Sequence, residues 1–201
     1  DCSDSTGRRS LSAVSFSPNT DFVAAAFSDN SIQVHFRLRV TQSSITKTIK
    51  SHKAKVYGLE FSRTGDFLAS VSADGAAYIW NTSTGAKIAQ IKGVYTRSKV
   101  PVRFTEDSLY IVSQSGRNSF RISDFSGNTL YSVVTGRPIT DIRPLKDSDF
   151  IAVRNDNNEV IVYSISAKRP LSITKIENEI YCTSFEYDAA ADVMYAGFRD
   201  G

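Results

Sequence analysis

The sequence predicts an all-β protein assembled from repeated sheets of four short antiparallel strands. Three observations point to it. A mostly apolar stretch opens at Phe22, Phe67, Leu109, Phe150 and Val193, at spacings of 45, 42, 41 and 43 residues. Seven and eight residues past each opening stands a turn pair: Asp29-Asn30, Asp74-Gly75, Gly116-Arg117, Asn157-Asn158 and Asp200-Gly201. These residue types tolerate the positive φ of tight hairpins. Finally, no apolar period of 3.6 persists for about ten residues anywhere, so helices are not expected.

Each unit divides into four strands in order. The first ends on an aromatic: residues 13–16, 56–61, 102–104 and 181–185. The second is a nearly continuous apolar run over residues 22–27, 67–71, 109–112 and 150–153, as in strands covered on both faces. A third leaves the turn at 31–36, 76–80, 118–122 and 159–163, with bulky His35, Trp80, Ile122 and Tyr163 thirteen residues past the first four openings. The fourth follows a polar or Gly-containing link at 45–49, 87–91, 129–134 and 171–176. Four antiparallel strands per roughly 40–45 residues is the blade size of a β-propeller.

One unit carries a family signature. Residues 52–80 contain Phe61-Ser62-Arg63-Thr64-Gly65-Asp66-Phe67-Leu68-Ala69-Ser70 and Asp74-Gly75, and closely resemble a WD40 repeat. Ser51-His52 stands where that family has Gly-His, and Trp80-Asn81 where it has Trp-Asp. The other units keep the spacing and lose the signature. The resemblance implies that His52, Ser72, Asp74 and Trp80 form a hydrogen-bonded set tying the inter-blade loop to its blade.

Residues 1–10 read as a polar N-terminal segment. Blades are expected at about 11–50, 51–93, 94–135 and 136–177, with a partial fifth at 178–201. Propellers close with about four to eight blades, and WD40 propellers usually with seven. An incomplete propeller is therefore expected, its remaining blades supplied by further sequence or a second chain. The absence of any methionine other than Met194 agrees with a processed or partial chain.

Composition narrows the function. The 201 residues are 41% hydrophobic and 22% charged, with net charge +3. The longest apolar run, Phe22–Phe27, is far short of the roughly 20 residues of a membrane helix, so no membrane association is expected. Two cysteines, Cys2 and Cys182, make neither a disulfide framework nor a metal cluster, and a cytoplasmic or nuclear setting is expected. Cys182 has no histidine nearby in sequence to form its thiolate. The pairs Glu177/Glu179 and Glu186/Asp188 lie in or beside expected loops, not across a cleft. No phosphate-binding glycine loop and no zinc spacing occurs, so neither enzyme activity, cofactor nor metal is expected.

The expected function is a non-catalytic scaffold that binds other proteins or peptide segments, acidic ones included, within a multi-subunit assembly. In WD40 proteins the face bearing the inter-blade loops is the usual docking surface. The resemblance places Lys55, Tyr57 and Ala73 there, then Ser98 and Val100, then Pro138, Thr140 and Asp156, and lastly Glu179 and Tyr181. Tyr57 and Tyr181 are candidate anchors, since tyrosine joins large area to a polar tip. Lys55 is a candidate for steering an acidic partner. The basic groups Lys47, Lys50, Lys53, Lys55 and Arg97, Lys99, Arg103 read equally as edge-protecting lysines or as contacts for nucleic acid. An RNA-processing or chromatin scaffold is thus the alternative. A third reading is a regulator of small-GTPase exchange, as in an ER-anchored branch of related propellers, whose anchor and glycine-rich loop this chain does not show.

Overall fold

Alternating and continuous apolar runs, cut by tight turns, give four consecutive four-stranded meanders. The computed structural model describes residues 9–19, 21–37, 44–95, 102–145, 149–175, 182–188 and 193–198. The first sheet comprises β1 (Leu11–Phe16), β2 (Phe22–Phe27), β3 (Ile32–Arg37) and β4 (Ser44–Ile49). The second comprises β5 (Val56–Phe61), β6 (Phe67–Ser72), β7 (Ala76–Asn81) and β8 (Lys87–Lys92). The third comprises β9 (Val102–Phe104), β10 (Ile111–Gly116), β11 (Ser119–Ser123) and β12 (Thr129–Val134). The fourth comprises β13 (Ile139–Pro144), β14 (Phe150–Asn155), β15 (Glu159–Ser164) and β16 (Arg169–Lys175). β17 (Cys182–Asp188) and β18 (Val193–Phe198) form an antiparallel pair.

The turn residues do what their chemistry allows. Asn30, Gly75 and Asn158 sit at φ of 64°, 78° and 55° between the second and third strands of their sheets. Between first and second strands a hydroxyl recurs: the amides of Phe22, Phe67 and Tyr110 donate to the hydroxyls of Ser17, Ser62 and Thr105 at 2.9, 3.1 and 3.0 Å.

That motif also corrects the repeat. The residue matching Phe67 in the third sheet is Tyr110, not Leu109, which is 60% exposed. The counterpart of Trp80, which pairs with Leu68, is then Ser123, which pairs with Ile111. Ile122 lies on the opposite face of the sheet from Ser123, because a one-residue slip in a strand reverses its side chains. The sequence shift came from treating the apolar Leu109-Tyr110-Ile111-Val112 as one run.

The chain divides into two compact units, Asp1–Thr96 with Phe125–Asn128, and Arg97–Asp124 with Thr129–Gly201. In the first unit Ala24, Ala26, Ile32 and Val34 of the first sheet interleave with Val56, Leu68, Tyr78 and Trp80 of the second. In the other, Val112, Phe120 and Ile122 of the third sheet meet Ile142, Ile151, Val153 and Tyr163 of the fourth, with Phe120 edge-on to Tyr163 at 5.2 Å. Full burial of each such aliphatic or phenyl group contributes about 1.5–3 kcal/mol.

One seam contact recurs in both units. The Lys47 ammonium donates to the Ser83 carbonyl, and the Tyr131 hydroxyl donates to the Lys168 carbonyl. Lys47 pairs with Val34 and Tyr131 with Ile122, twelve residues past Phe22 and Tyr110, so the two occupy one repeat position. Lys47 is therefore spent on the loop of the adjacent sheet and is not a free member of the basic group.

Candidate functional site

The loop between β4 and β5 is built around one carboxylate. Asp74, in the β6–β7 turn, accepts the amides of Lys53 at 3.0 Å and Ala76 at 3.0 Å, and Nδ1–H of His52 at 3.2 Å. Because a carboxylate only accepts, His52 must carry its proton on Nδ1. His52 Nε2 lies 2.8 Å from Ser70 Oγ, which also accepts the Trp80 indole N–H at 2.8 Å. Indole only donates, so Ser70 turns its own proton to His52 Nε2. The chain Trp80–Ser70–His52–Asp74 is complete with a neutral imidazole. Its ring stands 4.5 Å from Tyr78, and its side chain is 1% exposed.

The structure brings His52, Asp74 and Trp80 together, and Ser72 joins them through Asp74 and ties the loop to the blade at Ala54. Ser72 Oγ donates to the Ala54 carbonyl at 2.8 Å and accepts the Asp74 amide at 3.2 Å. Ser70 is the residue the sequence reading missed. It is the cross-strand partner of Tyr78, two residues from Trp80, so it shares their face and lies within reach of the indole. In the first and fourth sheets the matching positions are Ala25 beside His35 and Val153 beside Tyr163, where no such polar chain exists.

Burial first, opposed by the Asp74 hydrogen bond and charge, holds the His52 pKa below 6.5. Burial pushes Asp74 upward, but the amides of Lys53 and Ala76 and the imidazole outweigh it, leaving the carboxyl below 3.8. Both shifts favour the neutral histidine and ionised aspartate that the geometry requires.

Tyr57 has a different environment from the one its sequence position suggests. Val56 pairs with Ser72 and Gly58 with Val71, so Tyr57 is the extra residue of a β-bulge, which re-aims its side chain. Its hydroxyl is buried without a hydrogen-bond partner, and burial, with the Asp74 charge, pushes its pKa up to about 12. Tyr57 offers no polar tip to a partner. The same bulge recurs at Ser12, Thr140 and Thr183. By register Thr183, not Tyr181, matches Tyr57; Tyr181 itself, like Ser98, Val100 and Glu179, lies outside the described residues.

Lys50, Lys53, Lys55 and Ala73 are exposed, and the Ala73 amide donates to the Lys55 carbonyl at 2.9 Å. In the other unit, the Asp156 amide donates to the Pro138 carbonyl at 3.0 Å, the matching bond. There Asp156 pairs with Arg137 at 3.8 Å, and Thr140 is exposed with its hydroxyl directed to the carbonyls of Arg154 and Asn155 at 3.3 and 3.2 Å. Arg97 and Lys99 are outside the described residues, and Arg103 is already engaged. His35 Nδ1 lies 2.9 Å from Thr46 Oγ1, its neighbour on β4. Among the described residues no three His, Cys, Asp or Glu side chains are placed to hold a metal, and no helix is long and apolar enough to cross a membrane.

Residues 14–107 match the family model described as the anaphase-promoting complex subunit 4 WD40 domain. Over 169 residues, 77% of this chain, the sequence is 25% identical to WD repeat-containing protein 1 of Xenopus tropicalis. Both matches are to WD40-repeat proteins, the family whose signature residues 52–80 resemble. A stretch of 76 residues, 38% of the chain, is 32% identical to the poly(A)+ RNA export protein of Schizosaccharomyces pombe. The chain spans about a quarter of these curated relatives, 26% and 21% of their lengths. A chain in a crystal structure of the mitotic checkpoint complex superposes over 98% of this chain and 59% of its own length, with TM-score 0.74 and 15% identity, which shows the fold. The four meanders are therefore propeller blades, and β17–β18 is the matching pair of a fifth.

Proposed function

We propose that this chain is a WD40-type, non-catalytic scaffold that docks acidic protein segments on the β4–β5 loop. WD40 propellers generally serve as protein-interaction scaffolds. The observation that carries the site is the Asp74 carboxylate, which pins the Lys53 amide and His52 and so presents the exposed Lys53 and Lys55 on a loop already ordered. A preordered loop loses little conformational entropy on binding. Two exposed cations there favour carboxylate-bearing partners and raise their encounter rate.

The competing partner of the same charge is a nucleic acid, a reading that the poly(A)+ RNA export relative supports by its name. Calorimetry against a ten-residue Glu-rich peptide, its Gln counterpart and a 20-nucleotide single-stranded RNA separates the two. The Glu peptide is expected to bind the chain at least tenfold more tightly than the Gln peptide, and Lys53→Glu with Lys55→Glu to abolish the difference. RNA binding stronger than peptide binding, falling steeply between about 50 and 200 mM salt, overturns the protein-docking reading.

A further inference from the structure

The outermost strands of the four sheets are not equally protected. An open strand edge invites pairing with another chain, and proteins blunt it with lysine, proline or a bulge. β8 carries Lys87 and Lys92 and β16 carries Arg169, Pro170 and Lys175, while the one lysine of β4, Lys47, is turned to the Ser83 carbonyl. β12, Thr-Leu-Tyr-Ser-Val-Val, carries no charge and no proline, and its bulge at Leu130 is one that β8 and β16 share at Ile88 and Leu171. It is an edge of its sheet, hydrogen-bonded to β11 alone among the described strands. Its side chains are also the least polar: Leu130 is 46% and Val134 74% exposed.

A cavity of about 270 Å³ opens beside the start of this edge, lined by Tyr110, Leu130, Tyr131, Ile165 and the polar Asp149 and Lys168. The two charged groups differ. Asp149 is satisfied by the hydroxyls of Ser164 and Ser166 at 2.7 and 2.9 Å and the Ser166 amide at 2.8 Å. The exposed Lys168 ammonium makes no ion pair among the described residues. The site therefore combines a strand edge without charge or proline, an apolar recess for one side chain and, at its rim, a cation that makes no ion pair among the described residues.

We infer that the edge of β12 accepts an extended segment of another protein as a fifth strand, with an aliphatic side chain in the cavity and an adjacent carboxylate on Lys168. Strand addition supplies affinity through main-chain hydrogen bonds, while the recess and the cation select the sequence. This interaction is separate from the loop carrying Lys53 and Lys55, and the two fail independently in the tests.

The probe is a synthetic ten-residue peptide of alternating Thr and Val with a central Leu-Glu pair, used with the 201-residue chain. Controls are the same peptide with Leu-Lys in place of Leu-Glu, and one with two central prolines. Binding is read by fluorescence anisotropy and by amide hydrogen exchange. The Leu-Glu peptide is expected to slow exchange in β12, with at least tenfold weaker binding for the Leu-Lys peptide and none for the proline peptide. Leu130→Lys with Val134→Lys should abolish binding, both positions being exposed and tolerant of lysine. Lys168→Glu should reverse the preference to the Leu-Lys peptide. Unchanged exchange in β12 at saturating peptide overturns the inference. So does a dimer in sedimentation that the lysine variants dissociate, because the edge would then be occupied by a second copy.

Discussion

Two buried hydroxyls near Asp74 should respond to deletion with opposite sign. Ser70 Oγ joins the Trp80 indole to His52, and Ser70→Ala leaves a donor and an acceptor unpaired in a site where Ser70 itself is wholly buried. Each orphaned buried group costs about 1–3 kcal/mol, so the substitution should destabilise by about 2 kcal/mol or more. Tyr57 has the reverse problem, a buried hydroxyl with no partner. Tyr57→Phe keeps the ring and removes the unsatisfied oxygen, and should be neutral or stabilising by about 1 kcal/mol. Urea midpoints for the two variants decide the matter. A destabilised Tyr57→Phe would mean that the hydroxyl has a partner after all. At this scale the sequence was partly legible. His52, Asp74 and Trp80 stand at family positions, whereas Ser70 could be found only by pairing β6 with β7, and Tyr57 was misjudged because a bulge interrupts the alternation of β5.

Bulges explain much of what elements added to the sequence. The outer strands β8, β12 and β16 each carry an extra residue opposite the same repeat position, and the extra residues are Ile88, Leu130 and Leu171, all exposed aliphatics. A bulge leaves its residue unpaired and increases local twist, so apolar character there no longer signals burial. Strand number and order were legible because turn chemistry marks hairpins locally; the register of the third sheet was not, since Leu109 and Tyr110 are both apolar and only the Thr105 hydroxyl distinguishes them. Glycines show how far local strain can be separated from packing. Gly75, at φ +78°, has nothing near an added Cβ, so Gly75→Ala meets backbone strain alone, about 1–2 kcal/mol. Gly127, at φ +86°, would set a Cβ 3.0 Å from the Gln90 carbonyl oxygen of β8, in the segment whose Phe125 ring lies 4.6 Å from Phe67. Gly127→Ala should therefore cost more than Gly75→Ala in denaturant midpoints. Equal costs would show that the Phe125–Asn128 segment yields without disturbing the second sheet.

Over the whole molecule, these local shifts add to a stability curve with defined limbs. The fold class was legible throughout, because the repeat appears four times in full and once in part, always in the same strand order; the pH behaviour was not, because it depends on which polar groups burial encloses. His52 has a folded pKa below 6.5, so the unfolded chain takes up its proton first. The stability this group contributes is whole above pH 6.5 and is lost as the pH falls toward the folded value. The carboxyls of Asp29, Asp74 and Asp149 are all held below 3.8, and their contribution persists until the pH drops below that value. Tyr57, raised to about 12, and Tyr163, also raised, act in the opposite direction: their contribution is whole below pH 10 and is lost above it. Stability should be highest between about pH 6.5 and 10, with a first acid limb that belongs to His52. In His52→Asn the protein is less stable at every pH, but the decline between pH 6.5 and 5 should disappear while the one below pH 4 remains. Chemical denaturation at half-unit steps from pH 3.5 to 11 tests this. An unchanged decline between pH 6.5 and 5 in His52→Asn would assign that limb to another group and remove the buried neutral imidazole from the account.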